Sequence, residues 1–251
     1  MNKHHMGMVG ALVATLAVRT AVAQPCPGDL NCDQRVTIDE ILTAVNAALS
    51  GCPASASCAA RLPASGQTTS YGPGSDGAVR AGAALAYTDN GDGTLTDNST
   101  GLMWEKKDSS GGIHDQDNTY TWGTTVESNP MDGTMVTEFL ATLNRQPCFA
   151  GHCDWRIPNL KELLSIVDYE ILYPGPAVDA AFNTRCATGC VVDGNGGPMC
   201  SCTASSSYWS STTVRTTPGN AWDVFFGSGD AVSTSDKRLT RHAVRAVRGG
   251  L

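Results

Sequence analysis

The sequence predicts an α+β domain of short antiparallel strands and hairpins, with two helices and disulfide-stapled loops. Short strand patterns bounded by turn residues occur early in this domain and again at its end. Between them lie two segments with helical spacing of apolar residues, 133–145 and 159–168. Strands that gather in runs instead of alternating with helices favour α+β, and little in the pattern indicates a parallel sheet.

The early strand patterns surround tight turns. Residues 87–93 (YTDNGDG) form a turn cluster, and short strands are predicted at 94–97 and 102–105. Asn-Gly and Asp-Gly turns explain the aspartates here better than a second calcium site does. A weaker hairpin is predicted before them, from residues 66–71 and 78–85. The tail predicts four further strands, at 208–214, 221–226, 231–235 and 242–247.

The two predicted helices differ in how clearly they begin. The first takes its apolar face from Val136, Phe139, Leu140 and Leu143. The second follows Pro158, and Asn159 with Glu162 three residues later is a capping pair that places its start.

The N-terminus carries the pattern of an export signal. Lys3 supplies a positive start, and the apolar run 8–18 is too short to span a bilayer. Residues 21–23 (Ala-Val-Ala) form a small-x-small cleavage site, so 1–23 are predicted to be a signal peptide. We therefore expect a secreted or surface-associated protein, with no membrane span after cleavage.

The cysteines fit an oxidising compartment. All ten fall in three clusters with even counts: Cys26, Cys32, Cys52 and Cys58; Cys148 and Cys153; Cys186, Cys190, Cys200 and Cys202. Cys148 and Cys153 are expected to pair. Cys200 and Cys202 are too close to pair with each other, so each is expected to bond Cys186 or Cys190. A zinc site ranks lower, since the spacings do not form two matched CxxC hooks.

Residues 29–40 (DLNCDQRVTIDE) have the spacing of a calcium-binding loop. Calcium takes six to eight oxygen ligands, and such a loop closes with a carboxylate at its twelfth position. The predicted Ca²⁺ ligands are Asp29, Asn31, Asp33, Arg35 through its carbonyl, Thr37 and Glu40. Gln34 stands where such loops usually have glycine. An Asp/Asn-rich turn without metal is the alternative.

A helix is predicted directly after this loop and ends near Gly51. Its apolar positions are Ile38, Ile41, Leu42, Val45, Ala48 and Leu49. The stretch GDLNCDQRVTIDEILTAVNAALSG resembles one repeat of a type I dockerin, a family with two such EF-hand-like repeats that engage a cohesin. Only one repeat occurs here, so a structural calcium staple is the preferred interpretation. Residues 24–53 are assigned to this segment and 54–60 to a linker.

Five blocks of the remaining chain occur in a familiar order: TDNGDGTLTDNSTGLMWEKK, CDWRIPNLKELLSIVDY, SYWSST, AWDVFF and VRAVR. They resemble the Lcl C-terminal domain family from about Arg61 to Arg248, so 61–251 is predicted as this domain. The resemblance implies a C-type-lectin-like fold on a secreted or surface protein. For the family's characterised adhesin domain it further implies binding of sulfated glycans and assembly as a homotrimer.

The charge distribution suggests where a glycan could bind. A formal net charge of −7 argues against general nucleic-acid binding. The C-terminal fifth is nevertheless locally basic, and its densest turn contains the predicted glycan-binding residues Lys237, Arg238, Arg241 and His242. The alternative is a set of solvated strand faces with a few structural arginines.

The large side chains of the family blocks have two interpretations. Trp104, Trp155, Trp209 and Trp222 could stack on sugar rings or form the core, and the core is favoured for Trp155 and Trp209. Arg156, Arg245 and Arg248 occupy family positions, where an arginine among apolar strand residues suggests an internal ion pair with Asp154 or Glu162.

The motifs favour binding over catalysis. The sequence contains no GxSxG, HExxH or phosphate-binding glycine loop, and His114, His152 and His242 are scattered. We expect a non-enzymatic protein that recognises extracellular polysaccharide or glycan, anionic ones included. The alternative is a protein-interaction module that docks through the dockerin-like repeat in a polysaccharide-degrading or surface assembly. A carbohydrate-active enzyme built on unrecognised paired carboxylates is a third, weaker possibility.

Overall fold

The computed structural model describes most of the chain after residue 61, in the ranges 62–124, 130–192 and 200–249. The chain divides into two compact units, Met1–Ala59 and Ala60–Leu251. In the first unit the structure describes Ile38, Ile41, Leu42 and Val45, which are helical. No helix among the described residues is long and apolar enough to cross a membrane.

The first sheet of the second unit has four antiparallel strands. Its order is β1 (Tyr87–Asp89), β2 (Thr94–Asp97), β3 (Met103–Glu105) and β7 (Val247–Arg248). The strands predicted at 94–97 and 102–105 are therefore confirmed. β7 lies near the C-terminal end of the chain and pairs with β3, so this sheet joins an early and a late segment of the domain.

The hairpin predicted for residues 66–85 is wrong. This stretch forms a loop with one short helix, α1 (Asp76–Val79), and one bridge between Pro63 and Ala83. The backbone N–H groups of Thr68 and Thr69 donate to the Glu170 carboxylate at 2.6 and 2.9 Å. A distant side chain thus satisfies the donors that a hairpin partner would have satisfied.

Both predicted helices are confirmed and are shorter than predicted. The first is π-helical at Met135–Leu140 and continues as α2 (Ala141–Leu143). The second is α3 (Leu160–Leu164), and it begins with the predicted capping box. Short 3₁₀ turns lie at Phe149–Gly151 and Ala180–Asn183.

The second sheet is an antiparallel meander of three strands near the end of the chain. It consists of β4 (Ser207–Thr213), β5 (Asn220–Phe225) and β6 (Asp230–Asp236). The first three tail strands are thus confirmed. Only the end of the predicted fourth strand belongs to β7, while His242 and Ala243 form isolated bridges to Tyr120 and Tyr208. Antiparallel sheets with few helices confirm the α+β class.

Disulfides and two apolar clusters hold these elements together. One cluster centres on Trp104, Phe182 and Tyr208, and the other on Phe139 and Trp209. The bonds Cys148–Cys153, Cys186–Cys202 and Cys190–Cys200 confirm the expected pairings. The cysteines of the first cluster lie outside the described residues.

Candidate functional site

The predicted basic turn lies between β6 and the chain that returns to the first sheet. The Asp236 carboxylate accepts from the backbone N–H of Arg238 at 2.8 Å and of Leu239 at 3.0 Å. These hydrogen bonds, with the nearby Arg238 guanidinium, hold the pKa of Asp236 below its ordinary value. Asp236 therefore shapes the turn as an ionised carboxylate.

Lys237 points into the protein from this turn. Its side chain is 2% exposed, and its ammonium lies 3.9 Å from the centre of the Trp122 ring. The ammonium also donates to Thr213 Oγ1 at 2.8 Å. Burial lowers the pKa of Lys237. The cation–π contact and this hydrogen bond anchor the turn on the core.

The other three predicted glycan-binding residues divide between surface and interior. Arg241 is exposed and donates to the Thr119 carbonyl, and Arg238 is partly exposed. The His242 ring packs on Trp209, with centroids 4.4 Å apart. The turn thus presents two guanidinium groups to solvent, while glycan binding by the four residues stays a prediction.

His242 brings together a serine and an aspartate that the sequence does not associate. Its Nε2 lies 2.9 Å from Ser235 Oγ and 3.8 Å from the Asp223 carboxylate. A hydrolytic triad places its serine and its carboxylate at different ring nitrogens. Here both approach the same nitrogen, so the cluster lacks triad geometry.

Asp223 is the member of this cluster whose burial is least compensated by hydrogen bonds. It is fully buried, and neither carboxylate oxygen has a hydrogen-bond partner among the described residues. Burial lowers the pKa of His242, and the nearby Asp223 charge opposes that shift.

A second group of buried charges surrounds Glu105 at the end of β3. Its Oε1 lies 3.1 Å from Lys107 Nζ and 2.7 Å from His114 Nδ1, and its Oε2 accepts from Ala246 N–H at 2.9 Å. Burial alone would raise the pKa of Glu105, but Lys107 and His114 hold it below its ordinary value. The Glu105 carboxylate is thus an ionised structural centre.

Arg245 extends this buried group toward the disulfide-bonded loop. Its guanidinium donates to the Glu105 carbonyl at 2.8 Å, the Cys202 carbonyl at 2.6 Å and Thr203 Oγ1 at 2.7 Å. It also lies over the Phe182 ring, 5.2 Å from the ring centre. Arg245 therefore joins three segments of the chain and contacts no solvent.

This arrangement of strands, capped helix and buried arginine can be compared with known families. The family model for the Lcl C-terminal domain matches residues 93–248. The chain belongs to this family. Searches of curated proteins and of solved structures found no match for this chain.

In this Lcl C-terminal domain most family-block tryptophans are structural. Trp155 and Trp209 are buried, as expected, and their indole N–H groups donate to the carbonyls of Phe149 and Tyr120. Trp104 is also buried, whereas Trp222 is partly exposed. Trp222 thus remains the family-block indole that solvent can reach.

Two of the three arginines of the Lcl blocks form ion pairs, whereas Arg245 donates to backbone carbonyls and Thr203 Oγ1. Arg156 makes a bidentate contact with Glu162 at 2.8 and 2.7 Å, and Glu162 is one of the two carboxylates expected to pair with these arginines. The other expected carboxylate, Asp154, pairs with Arg248 at 2.7 and 3.1 Å. Both pairs connect the DWRIPN segment to neighbouring structure.

The sequence raised two metal sites, a calcium loop and, with lower rank, a zinc site at cysteines. The calcium-loop residues Asp29, Asn31, Asp33, Arg35, Thr37 and Glu40 lie outside the described residues. Within the described ranges, the one group of metal-ligand residue types close enough to share an ion is Cys186, Cys190 and Cys202. These sulfurs are disulfide-bonded, so they offer no thiolates to zinc.

Proposed function

We propose that this Lcl C-terminal domain protein is a secreted or surface-associated, non-enzymatic protein that binds extracellular glycans. Family membership is the observation that carries this proposal, because the characterised adhesin domain of the family binds sulfated glycans. The three disulfides within the described ranges support an oxidising compartment. The two antiparallel sheets with stapled loops support a C-type-lectin-like fold, and the family resemblance supports a homotrimer.

The outward guanidiniums of Arg238 and Arg241 are the candidate contacts for an anionic glycan. A planar guanidinium donates two parallel hydrogen bonds to a sulfate or carboxylate group. Lys237 and His242 would support such a site from inside, because they fix the turn on Trp122 and Trp209.

A glycan array probed with the chain tests this proposal, in calcium and again in EDTA. We expect binding to sulfated or uronic glycans, and the double variant Arg238→Gln/Arg241→Gln should weaken it about tenfold or more because two charge-assisted contacts are lost. Arg215→Gln removes an exposed guanidinium elsewhere and should leave binding unchanged.

The array has two informative negative results. Blank arrays in both conditions would exclude glycan binding as the main role. Loss of binding in EDTA alone would link the proposed calcium segment, residues 24–53, to recognition.

A protein-interaction role is the second candidate, and one observation favours it. Ile38, Ile41, Leu42 and Val45 share one face at helical spacing, and their side chains are 49–76% exposed. An apolar helix face of this kind fits a groove on a partner protein. Strong binding to a partner together with a blank array would favour this role.

A further inference from the structure

We propose that Cys186 is a modification site, at which a small external thiol attaches by disulfide exchange. The inference goes beyond glycan binding and does not depend on it. It rests on two neighbouring disulfides, Cys186–Cys202 and Cys190–Cys200. Cys190 Sγ lies only 3.5 Å from Cys202 Sγ, to which it is not bonded, so the two disulfides are in contact.

The four cysteines differ in their access to solvent. Cys186 is exposed. The other three, Cys190, Cys200 and Cys202, are each 9% exposed or less. Exchange begins when a thiolate attacks one sulfur of a disulfide. A dissolved thiol therefore reaches this pair of disulfides at Cys186.

The first step exchanges the exposed bond. The external thiolate attacks Cys186 Sγ, a bond forms between these two sulfurs, and the Cys186–Cys202 bond breaks. The electron pair of the broken bond leaves on Cys202 Sγ, which becomes a thiolate. The buried Arg245 guanidinium donates to the Cys202 carbonyl at 2.6 Å, so positive charge lies beside this leaving group. Nearby positive charge stabilises a thiolate and favours its departure.

The second disulfide removes the thiolate that would reverse this step. A released thiolate ordinarily stays beside the mixed disulfide and expels the external thiol again. Here the Cys202 thiolate attacks Cys190 Sγ, 3.5 Å away, so a Cys190–Cys202 bond forms as the Cys190–Cys200 bond breaks. Cys200 Sγ takes the electron pair and receives from water the proton that the external thiol gave up.

The surroundings of Cys200 suit the thiol that this exchange leaves there. The reaction starts and ends with two disulfides and one thiol, so it consumes no oxidant and no reductant. Cys200 lies in an apolar cluster with Val192 and Phe149, where burial keeps a thiol protonated and unreactive. Its sulfur is also 3.9 Å from the Val191 carbonyl, which can accept a hydrogen bond from the thiol. The external thiol is thus retained on Cys186.

The Cys148–Cys153 bond provides an internal comparison. It also joins a buried cysteine, Cys148, to an exposed one, Cys153. Across the described ranges, however, no third cysteine has its sulfur within 4.8 Å of both. A thiol attached to Cys153 is therefore expelled by the neighbouring Cys148 thiolate.

Glutathione treatment of the full, oxidised chain without denaturant tests the site. The reaction is stopped with acid, free thiols are alkylated with N-ethylmaleimide, and the peptides are identified by mass spectrometry. We expect glutathione on Cys186 and maleimide on Cys200, together with a peptide joined by a Cys190–Cys202 bond. Glutathione on Cys186 should exceed that on Cys153 about tenfold or more, because an expelling thiolate remains only beside Cys153.

Two disulfide variants separate the relay from simple exposure. Cys190→Ala/Cys200→Ala keeps the Cys186–Cys202 bond but removes its neighbour, so the Cys202 thiolate can attack only the mixed disulfide. Glutathione on Cys186 should then fall about tenfold or more. Cys148→Ala/Cys153→Ala also removes one disulfide, and it should leave the Cys186 adduct unchanged.

The peptides of the unaltered chain decide the question even if a variant fails to fold. Glutathione on Cys186 beside an intact Cys190–Cys200 bond would overturn the inference. An unmodified Cys186, equal modification of Cys186 and Cys153, or a Cys190–Cys202 peptide that forms only in urea would overturn it as well.

Discussion

The Glu105 carboxylate is the residue on which the buried charges of the domain converge. It contacts Lys107 and His114 through one oxygen and the Ala246 backbone through the other, while its carbonyl accepts from Arg245. Removing one partner of a buried ion pair costs more than the pair itself contributes, because the other charge stays buried and uncompensated.

We therefore predict that Glu105→Gln lowers the free energy of unfolding by about 3 kcal/mol or more. The glutamine keeps the shape of the side chain and an acceptor for Ala246, but it leaves the Lys107 ammonium without its counter-charge. Urea unfolding at pH 7 measures the loss. Glu138→Gln removes an exposed carboxylate and should change stability little.

Two further measurements separate charge from packing at Glu105. The double variant Glu105→Gln/Lys107→Met should recover part of the loss, because it removes the orphaned charge. The contribution of the ionised carboxylate is present above its ordinary pKa of 4.5 and is lost as the pH falls through its lower folded-state value. If both single and double variants lost equal stability, charge pairing would not be the cause.

At the residue scale, the sequence could not predict that the Lys237 side chain points into the protein. Four basic or titratable residues in one short stretch predict a solvent-facing basic turn. Trp122, distant in sequence, covers the Lys237 ammonium, and its backbone N–H donates to the Lys237 carbonyl at 3.1 Å. That contact depends on tertiary packing, and no local pattern around Lys237 encodes it.

At the scale of elements, the capping box of α3 is the clearest link from sequence to structure. Asn159 Oδ1 accepts from the backbone N–H of Lys161 and Glu162, and Glu162 Oε2 accepts from Asn159 N–H at 2.7 Å. Glu162 also accepts two hydrogen bonds from the Arg156 guanidinium. The helix start thereby positions the ion pair as well.

We predict that Asn159→Ala lowers the free energy of unfolding by about 1 kcal/mol, because two helix N–H groups lose their acceptor. Thermal or urea unfolding measures this change. Asn159→Ser should retain most of the stability, since serine caps nearly as well. Asn183→Ala is the matched control at an exposed position, and a loss there equal to that of Asn159→Ala would contradict the capping explanation.

The elements differ in how far sequence could predict them. Strands β2 to β6 consist of short stretches between turns that are rich in β-branched and aromatic residues, so the sequence could predict them. Helix α3 was predictable because Asn159 caps it locally. The predicted hairpin of residues 66–71 and 78–85 does not form, because the backbone N–H groups of Thr68 and Thr69 donate to Glu170, about 100 residues away in sequence.

At the scale of the whole molecule, the long loop before β4 is held in two ways. Arg245 reaches the Cys202 carbonyl from the C-terminal segment, and the disulfides Cys186–Cys202 and Cys190–Cys200 close the loop on itself. The small Cys148–Cys153 bond closes a much shorter loop, with a sequence separation of 5 against 16 for Cys186–Cys202. A cross-link restricts the unfolded chain more when it closes a longer loop.

This relation predicts the order of stability losses when each bond is removed. Cys186–Cys202 encloses Cys190–Cys200, so the comparison is made in the Cys190→Ala/Cys200→Ala background, where the longer loop is not already shortened. In that background Cys186→Ala/Cys202→Ala should lower the free energy of unfolding by about 3 kcal/mol, and Cys148→Ala/Cys153→Ala by about 2 kcal/mol. Cys202 is buried, so the cavity left by its sulfur adds to the first loss. Urea unfolding of both variants beside the oxidised Cys190→Ala/Cys200→Ala chain measures the order. A larger loss for the Cys148–Cys153 pair would mean that native contacts around that bond, and not the length of the closed loop, determine what a disulfide contributes to this domain.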